Sequence, residues 1–208
     1  MATPIKVTKR AGKFRGRKQA EAGFSLLEVL VAMTVLTIGL VGLLSVFGVA
    51  IAATQTSQEN MIAKQLGDEA YESIVTARNS SQLTWDDIQN AGSTNCFVTG
   101  ASTCGIFLTG LEPINNSGAD GIYGTSDDAA AGAETFREPG PDGTYGDSDD
   151  IIMPLTAYQR SVTITPVVTA AGATVTSLRA INVTVQYTTP QLKTPQTYVM
   201  STFISQYQ

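Results

Sequence analysis

The stretch Gly23-Phe24-Ser25-Leu26-Leu27-Glu28-Val29-Leu30-Val31-Ala32-Met33 opens an apolar run that continues to residue 53. This run, residues 24–53, exceeds the roughly 20 residues that cross a bilayer as an α-helix, and it would extend for about 45 Å. It holds one charged residue, Glu28, at its fifth position. A carboxylate costs roughly 2.5–3.5 kcal/mol at the centre of a bilayer and less near its interface. We therefore expect Glu28 to lie shallow and to have a charged partner.

A basic leader, residues 1–23, precedes the apolar run. It contains one acid, Glu21, and seven of the thirteen basic residues of the chain, which are Lys6, Lys9, Arg10, Lys13, Arg15, Arg17 and Lys18. A secretory signal peptide carries its apolar core before the cleavage site, whereas a cut after Gly23 would leave the apolar run on the mature chain. The positive-inside rule places the leader in the cytoplasm and the residues beyond the run outside it.

The composition of the remaining chain argues against two classes of function. The residues after Gly23 include 6 basic and 17 acidic residues, a net charge of −11. Such a chain repels nucleic acid, because lysine and arginine dominate phosphate binding. The chain also lacks histidine, the side chain best suited to proton transfer near neutral pH. The sequence therefore predicts neither a nucleic-acid-binding protein nor an enzyme.

Cleavage after Gly23 would create an α-amino group at Phe24, four residues before Glu28. The partner of Glu28 is then the amine of its own chain or the amine of a neighbour offset along the helix axis. In the apolar core of a helical assembly, the second pairing would set the axial register, as a buried polar residue does in a coiled coil. The alternative is an acid tolerated at a helix N-terminus, where the macrodipole favours it.

The order of glycine, phenylalanine, serine and glutamate in this stretch resembles the prepilin N-terminus of type IV pilins and type II secretion pseudopilins. In that family a membrane peptidase cuts after the glycine and methylates the new N-terminal phenylalanine. The resemblance, which covers residues 15–80, implies cleavage after Gly23, N-methylation of Phe24 and an assembly role for Glu28. The leader is longer than in many major pilins, and no proline interrupts the apolar run. Residues 28–32 and 38–40 are most similar to PilV-type minor pilins.

Beyond residue 53 the sequence predicts a globular head, residues 54–208. Apolar residues recur every four positions among charged ones, which is typical of an amphipathic helix and extends one helix over residues 24–78; they are Ile62, Leu66, Ala70 and Ile74. A loop region, residues 79–157, follows this helix. Alternation of apolar and polar residues then predicts an antiparallel meander over residues 158–206, with strands at 158–168, 178–188 and 196–205. One long helix on such a sheet gives an α+β fold.

An acidic, Gly- and Asp-rich loop, residues 112–150, contains the same motif twice. Residues 118–128 (GADGIYGTSDD) and 140–150 (GPDGTYGDSDD) are identical at eight of eleven positions. Glycine lets a backbone fold tightly around an ion, and aspartate supplies the hard oxygens that calcium prefers. We predict one calcium site from Asp120, Asp127 and Asp128 and a second from Asp142, Asp147, Asp149 and Asp150. The alternative is a solvated loop in which Asp-Gly pairs form turns.

Cys96 and Cys104, the only two cysteines, flank a segment rich in Gly, Ser and Thr. In an exported chain they can close a small loop as a disulfide, and two unpaired thiols are the alternative. Two soft ligands are too few for a metal site. We predict a disulfide that ties down a loop.

The sequence therefore predicts a structural subunit, a minor pilin of a type IV pilus. It would be inserted once into inner-membrane lipid, cleaved by prepilin peptidase and assembled with other pilin subunits into a periplasmic or cell-surface filament. Two alternatives stay open. One is a pseudopilin of a type II secretion system, and the other is a single-pass membrane-anchored binding protein that does not polymerise.

Overall fold

A computed structural model of the chain describes residues 23–98, 100–189 and 194–207. The basic residues of the predicted leader and part of the connection before the last strand lie outside the described residues. The chain divides into two units, Met1–Gly48 and Val49–Gln208. The described part of the first unit is helical from Leu26 onward, and the second unit contains the rest of that helix and all strands among the described residues.

Eight elements follow one another along the described chain. They are α1 (Leu26–Asn79), β1 (Glu112–Pro113), α2 (Asp128–Ala131), β2 (Thr135–Glu138), β3 (Ile151–Pro154), β4 (Tyr158–Val168), β5 (Thr174–Tyr187) and β6 (Gln196–Ser205). A four-stranded antiparallel sheet has the order β1-β4-β5-β6, and β2 pairs with β3 in a separate hairpin. The predicted α+β fold, with its long N-terminal helix and C-terminal antiparallel sheet, is therefore confirmed.

Alternation of side chains decides which face of the sheet is buried. Along β5, odd-numbered residues from Arg179 to Tyr187 are buried, and their even-numbered neighbours are not. The buried face packs against α1 in the second unit, where Ala70 and Ile74 lie in one core cluster with Ile181 and Val183. The four-residue spacing that predicted an amphipathic helix beyond residue 53 thus marks its buried side.

The main differences from the predicted boundaries have local causes. The helix begins at Leu26 instead of residue 24, and β5 begins at Thr174 instead of residue 178. The longer β5 follows from a register shift between Pro166 and Val167, beyond which Val167 and Val168 pair with the start of β5. Proline has no N–H for the ladder, so a bulge at Pro166 restarts the pairing on its far side.

The region between α1 and β4 contains more structure than the predicted loop. It includes β1, α2 and the β2–β3 hairpin. These elements are two to four residues long, too short to show a helical or strand period in sequence. Their partners are distant, since β1 pairs with Gln159 and Arg160 of β4.

We predict that Ile74→Ala destabilises the second unit by about 2–5 kcal/mol, the usual cost of a large buried aliphatic truncated to alanine. The side chain of Ile74 is fully buried in the core. Met61→Ala, on the same helix at a position 69% exposed, is the matched control and should change stability by less than about 0.5 kcal/mol. Denaturant unfolding of the full chain in detergent micelles, followed by Trp85 fluorescence, measures both. Equal midpoints would show that this helix face does not carry the core.

Candidate functional site

The junction between leader and helix brings three predicted residues into one short segment. Gly23 and Phe24 precede α1, and Phe24 is 81% exposed. The carbonyl of Ser25 accepts hydrogen bonds from the N–H groups of Glu28 at 2.9 Å and Val29 at 3.2 Å. Glu28 therefore lies in the first helical turn with its side chain exposed, where the macrodipole favours a carboxylate. The segment is open to a peptidase or to another molecule.

The helix beyond this junction has an uncovered apolar surface. The described residues from Phe24 to Ile51 are exposed, and α1 is long and apolar enough to cross a membrane. Two of its hydroxyl groups do not interrupt that character, because Thr34 and Thr37 donate to the carbonyls of Val31 and Thr34, each at 2.8 Å. An apolar surface of this size needs a bilayer or other protein around it.

The two copies of the acidic motif, called here the first loop (residues 118–128) and the second loop (residues 140–150), share one backbone form. The N–H of Gly124 donates to Asp128 Oδ2 in the first, and that of Gly146 donates to Asp150 Oδ2 in the second, both at 2.7 Å. Each loop also has an aspartate that accepts from the N–H two residues later, at 2.8 Å. The repeated sequence thus folds the same way twice.

The opening glycine of each loop lies close to the carboxylate of an aspartate near the end of that loop. A Cβ placed on Gly118 would lie 2.1 Å from an oxygen of Asp127, and one placed on Gly140 would lie 2.3 Å from an oxygen of Asp149. Both contacts are far shorter than van der Waals distance, so only glycine fits while the aspartate keeps its place. The carboxylate therefore folds back over the start of its own loop.

Carboxylate oxygens gather in both loops. One oxygen from each of Asp120, Asp127 and Asp128 lies within 4.8 Å of the others in the first loop. The same holds for Asp142, Asp147 and Asp149 in the second. Asp150, the fourth acid predicted for the second site, accepts from Arg137 Nη1 at 3.2 Å, and its side chain is 2% exposed. The donor sets are all hard oxygen, which suits calcium or magnesium better than a softer metal.

The first loop is anchored on the head. Ile122 is 1% exposed in the core, and the ring of Tyr123 lies 4.3 Å from the guanidinium carbon of Arg160. Thr125 Oγ1 donates to Asp127 Oδ1 at 2.6 Å, and this bond is the main cause that lowers the pKa of Asp127. Burial raises the pKa of Asp128. The sequence did not indicate the contact between Tyr123 and Arg160, because 37 residues separate the two.

The loop between Cys96 and Cys104 is held by a carboxylate as well as by a covalent bond. Cys96 and Cys104 form a disulfide with their Cα atoms 5.7 Å apart. Asp86, which is 8% exposed, accepts hydrogen bonds from the N–H groups of Phe97 at 2.6 Å and Val98 at 2.8 Å. Asp86 is therefore a structural acceptor for this loop. This role was not predicted, because its partners lie eleven and twelve residues along the chain.

A buried arginine on β4 lies near two glutamates, one on α1 and one directly before β2. The guanidinium of Arg160, 5% exposed, donates from Nη1 to the carbonyl of Leu66 at 3.0 Å. Among the described residues, one carboxylate oxygen each of Glu69 and Glu134 is buried without a hydrogen bond. Burial, followed by the charge of Glu69, raises the pKa of Glu134, and Arg160 opposes this shift. Both glutamates line a cavity of about 220 Å³.

Comparison with known proteins identifies a motif in the N-terminal segment. The prokaryotic N-terminal methylation motif matches residues 18–44, which include Gly23, Phe24 and Glu28. No curated protein and no solved structure matches the chain significantly. The motif and the apolar helix support a pilin-like structural subunit of the type IV pilin and pseudopilin class. They fit a membrane-anchored protein that is processed by prepilin peptidase and assembles with other subunits into a surface filament.

The raised pKa of Glu134 predicts a pH-dependent stability difference. An acid whose pKa is raised in the folded state does not lower the unfolding free energy at pH values below its unfolded pKa of 4.5. Its ionisation lowers the unfolding free energy as the pH rises through the folded pKa. Glu134→Gln should therefore match the parent chain at low pH and exceed its unfolding free energy at neutral pH. We expect a gain of about 0.3–1 kcal/mol, since solvent still screens this half-buried group.

Denaturant unfolding of the full chain between pH 4 and pH 8 measures this difference. Glu72→Gln, at an exposed position of α1, removes the same charge and separates the effect of the buried carboxyl from a general change in net charge. A Glu134→Gln chain that is less stable than the parent at neutral pH would contradict the prediction.

Proposed function

We propose that this protein is a minor pilin, a structural subunit that is stored in the inner membrane and then built into a type IV pilus through α1. The observation that carries the proposal is the combination of a methylation motif at residues 18–44 with an apolar helix left uncovered in the single chain. The same surface suits a bilayer before assembly and a bundle of neighbouring helices after it.

Removal of the leader is a physical requirement of this function. Seven basic residues precede Gly23, and a cluster of charges cannot enter the apolar centre of a helical bundle without a large desolvation cost. A cut after Gly23 replaces them with one amine, whose methylation at Phe24 belongs to the motif. The exposed position of Gly23 and Phe24 before the first helical turn leaves this bond accessible to a membrane peptidase.

Glu28 supplies the specific contact of the assembly in this proposal. It is the only acid between residues 24 and 58, so it is the one group in the apolar segment that attracts the Phe24 amine of an adjacent subunit. Pairing across subunits neutralises both charges inside the bundle and fixes their axial offset. An unpaired carboxylate there would be costly, so a wrong register is disfavoured.

A pseudopilin of a type II secretion system is the second candidate, and the methylation motif favours it as strongly. The two candidates share cleavage, methylation and the role of Glu28, and they differ in the filament that the subunit joins. Co-purification of the chain with a sheared surface pilus supports the minor pilin. Recovery only from a cell-envelope secretion complex would assign the pseudopilin instead.

We predict that Gly23→Leu blocks cleavage, because the leucine side chain fills the position next to the scissile bond. Mass spectrometry of the chain from cells with a type IV filament system should then show the intact leader and no methylated Phe24. Gly39→Leu makes the same exchange inside the helix, where Gly39 has open space around it, and should be cleaved normally. A cleaved and methylated Gly23→Leu chain would exclude processing at this bond.

We predict that Glu28→Gln is cleaved and methylated but assembles poorly, since the amide keeps the size of the side chain and removes the charge that pairs with the amine. The fraction of the chain in sheared filaments should fall at least about tenfold, which corresponds to about 1.4 kcal/mol per contact. Glu72→Gln, farther along α1, is the control for loss of an acid. Assembly of Glu28→Gln at the parent level would show that the charge of Glu28 is dispensable for assembly.

A further inference from the structure

A cavity of about 730 Å³, called here the β4–β5 cavity, lies in the second unit between residues 89–97, the end of β4 and the start of β5. It opens because the two strands separate. Their pairing shifts between Pro166 and Val167, so residues 176–178 of β5 pair with no residue of β4, a strand that is described in full. The volume falls in the range of roughly 300–1,000 Å³ that small-molecule sites occupy.

Contacts of Trp85 hold the walls of this cavity in place. Its Nε1 donates to the carbonyl of Thr176 at 3.0 Å, which fixes the unpaired part of β5. The guanidinium carbon of Arg179 lies 4.1 Å from the centre of the Trp85 ring, and Arg179 Nη1 donates to the carbonyl of Ile88 at 2.9 Å. The cavity is therefore formed before a ligand arrives, and this lowers the entropic cost of binding.

The lining offers no net charge to a ligand. Among the described residues that line the cavity, Arg179 is the charged one. It is 5% exposed, and its guanidinium stacks on Trp85, donates to the carbonyl of Ile88 and interacts with the charge of Asp86. Since this charge is already partnered inside the chain, an ion entering the cavity would lose its hydration without gaining a counter-ion. The cavity thus favours an uncharged ligand.

The polar side chains around the cavity form two sets. The carboxamides of Gln89 and Asn90 are bonded within the chain, Gln89 to the hydroxyl of Ser93 and Asn90 to the backbone of β4. The second set is exposed and makes no side-chain hydrogen bond among the described residues. It consists of one amide and three hydroxyls, each both donor and acceptor; they belong to Asn95, Thr165, Thr174 and Thr176.

We propose that the β4–β5 cavity binds a neutral saccharide. The hydroxyl groups of a sugar donate and accept, so they match the amide of Asn95 and the three threonine hydroxyls. The C–H face of a sugar ring is apolar and packs on an aromatic side chain. Phe97 lines the cavity and is 50% exposed, and it supplies such a surface.

A peptide strand fits this cavity less well. Addition of a strand needs free N–H and C=O groups along a sheet edge. At this edge of β4 the carboxamide of Asn90 takes the carbonyl of Val162 and the N–H of Ile164, and Pro166 has no N–H to offer. The edge is thus covered by the chain itself, whereas the side chains of the cavity stay available to a saccharide.

An array of immobilised neutral, sialylated and sulfated saccharides tests the proposal. The full chain, in a detergent without a sugar headgroup, should bind neutral members, and calorimetry with the best-bound saccharide then gives the Kd. Phe97→Ala should weaken binding at least about tenfold, as truncation of an aromatic anchor does. Thr176→Val removes a hydroxyl at nearly constant volume and should weaken binding about two- to tenfold.

Val98→Ala is the matched control, because Val98 follows Phe97, is 65% exposed and lies outside the cavity lining. It should bind like the parent chain, and near-UV circular dichroism shows whether each variant keeps the fold. Glu28→Gln, which is impaired in the proposed assembly, should also bind like the parent. Failure of the saccharide site and failure of the pilin role are therefore distinguishable.

Each contrary outcome has a definite meaning. No bound saccharide would overturn the proposal, and a preference for sialylated or sulfated sugars would contradict an uncharged ligand. Parent-level binding by both Phe97→Ala and Thr176→Val would overturn the assignment to this cavity. Binding of an uncharged threonine–valine peptide, with loss in Phe97→Ala, would assign the cavity to a peptide instead.

Discussion

The uncovered apolar surface of α1 is the constraint on which the rest of the molecule depends. Residues 24–51 are exposed in the single chain, and the hydrophobic effect makes that state unfavourable in water by roughly 25 cal/mol per Å². The segment must therefore stay in a bilayer or be covered by other subunits. A globular unit that could fold over this helix and bury it would remove the reason to assemble. In the second unit, burial on α1 begins at Ala63, and the helix before it stays available.

Packing in the second unit depends on small residues along one face of the same helix. Ala63, Gly67, Ala70 and Ala77 are buried there, and they let the helix backbone approach the sheet closely enough for Arg160 to reach the carbonyl of Leu66. The guanidinium of Arg160 also stacks on the ring of Tyr123. One buried guanidinium therefore connects α1, β4 and the first loop. Such a network is costly to break at one partner, which explains why a loop rich in aspartate can be part of a small core.

The sequence could predict the long elements because their periods are visible over many residues. Ile62 to Ile74 shows the helical spacing, and β4 and β6 were placed at their observed bounds by alternation. Contacts that join distant residues could not be predicted in the same way. The carboxamide of Asn90, for example, donates to the carbonyl of Val162 and accepts from the N–H of Ile164, and so covers part of the edge of β4. At the N-terminus, by contrast, the relevant information is local, and residues 23–28 can be interpreted without the fold.

The duplicated motif shows that nearly identical sequences can lie in different surroundings in one chain. The eight shared positions fix turns and carboxylates, and two hydrogen bonds from a backbone N–H to an aspartate recur in both loops. The three differing positions decide the surroundings, since Ile122 anchors the first loop in the core and Thr144 leaves the second in solvent. Carboxylates in water repel one another less than buried carboxylates do. The same backbone can therefore be a packed structural element in one place and an exposed acidic loop 22 residues later.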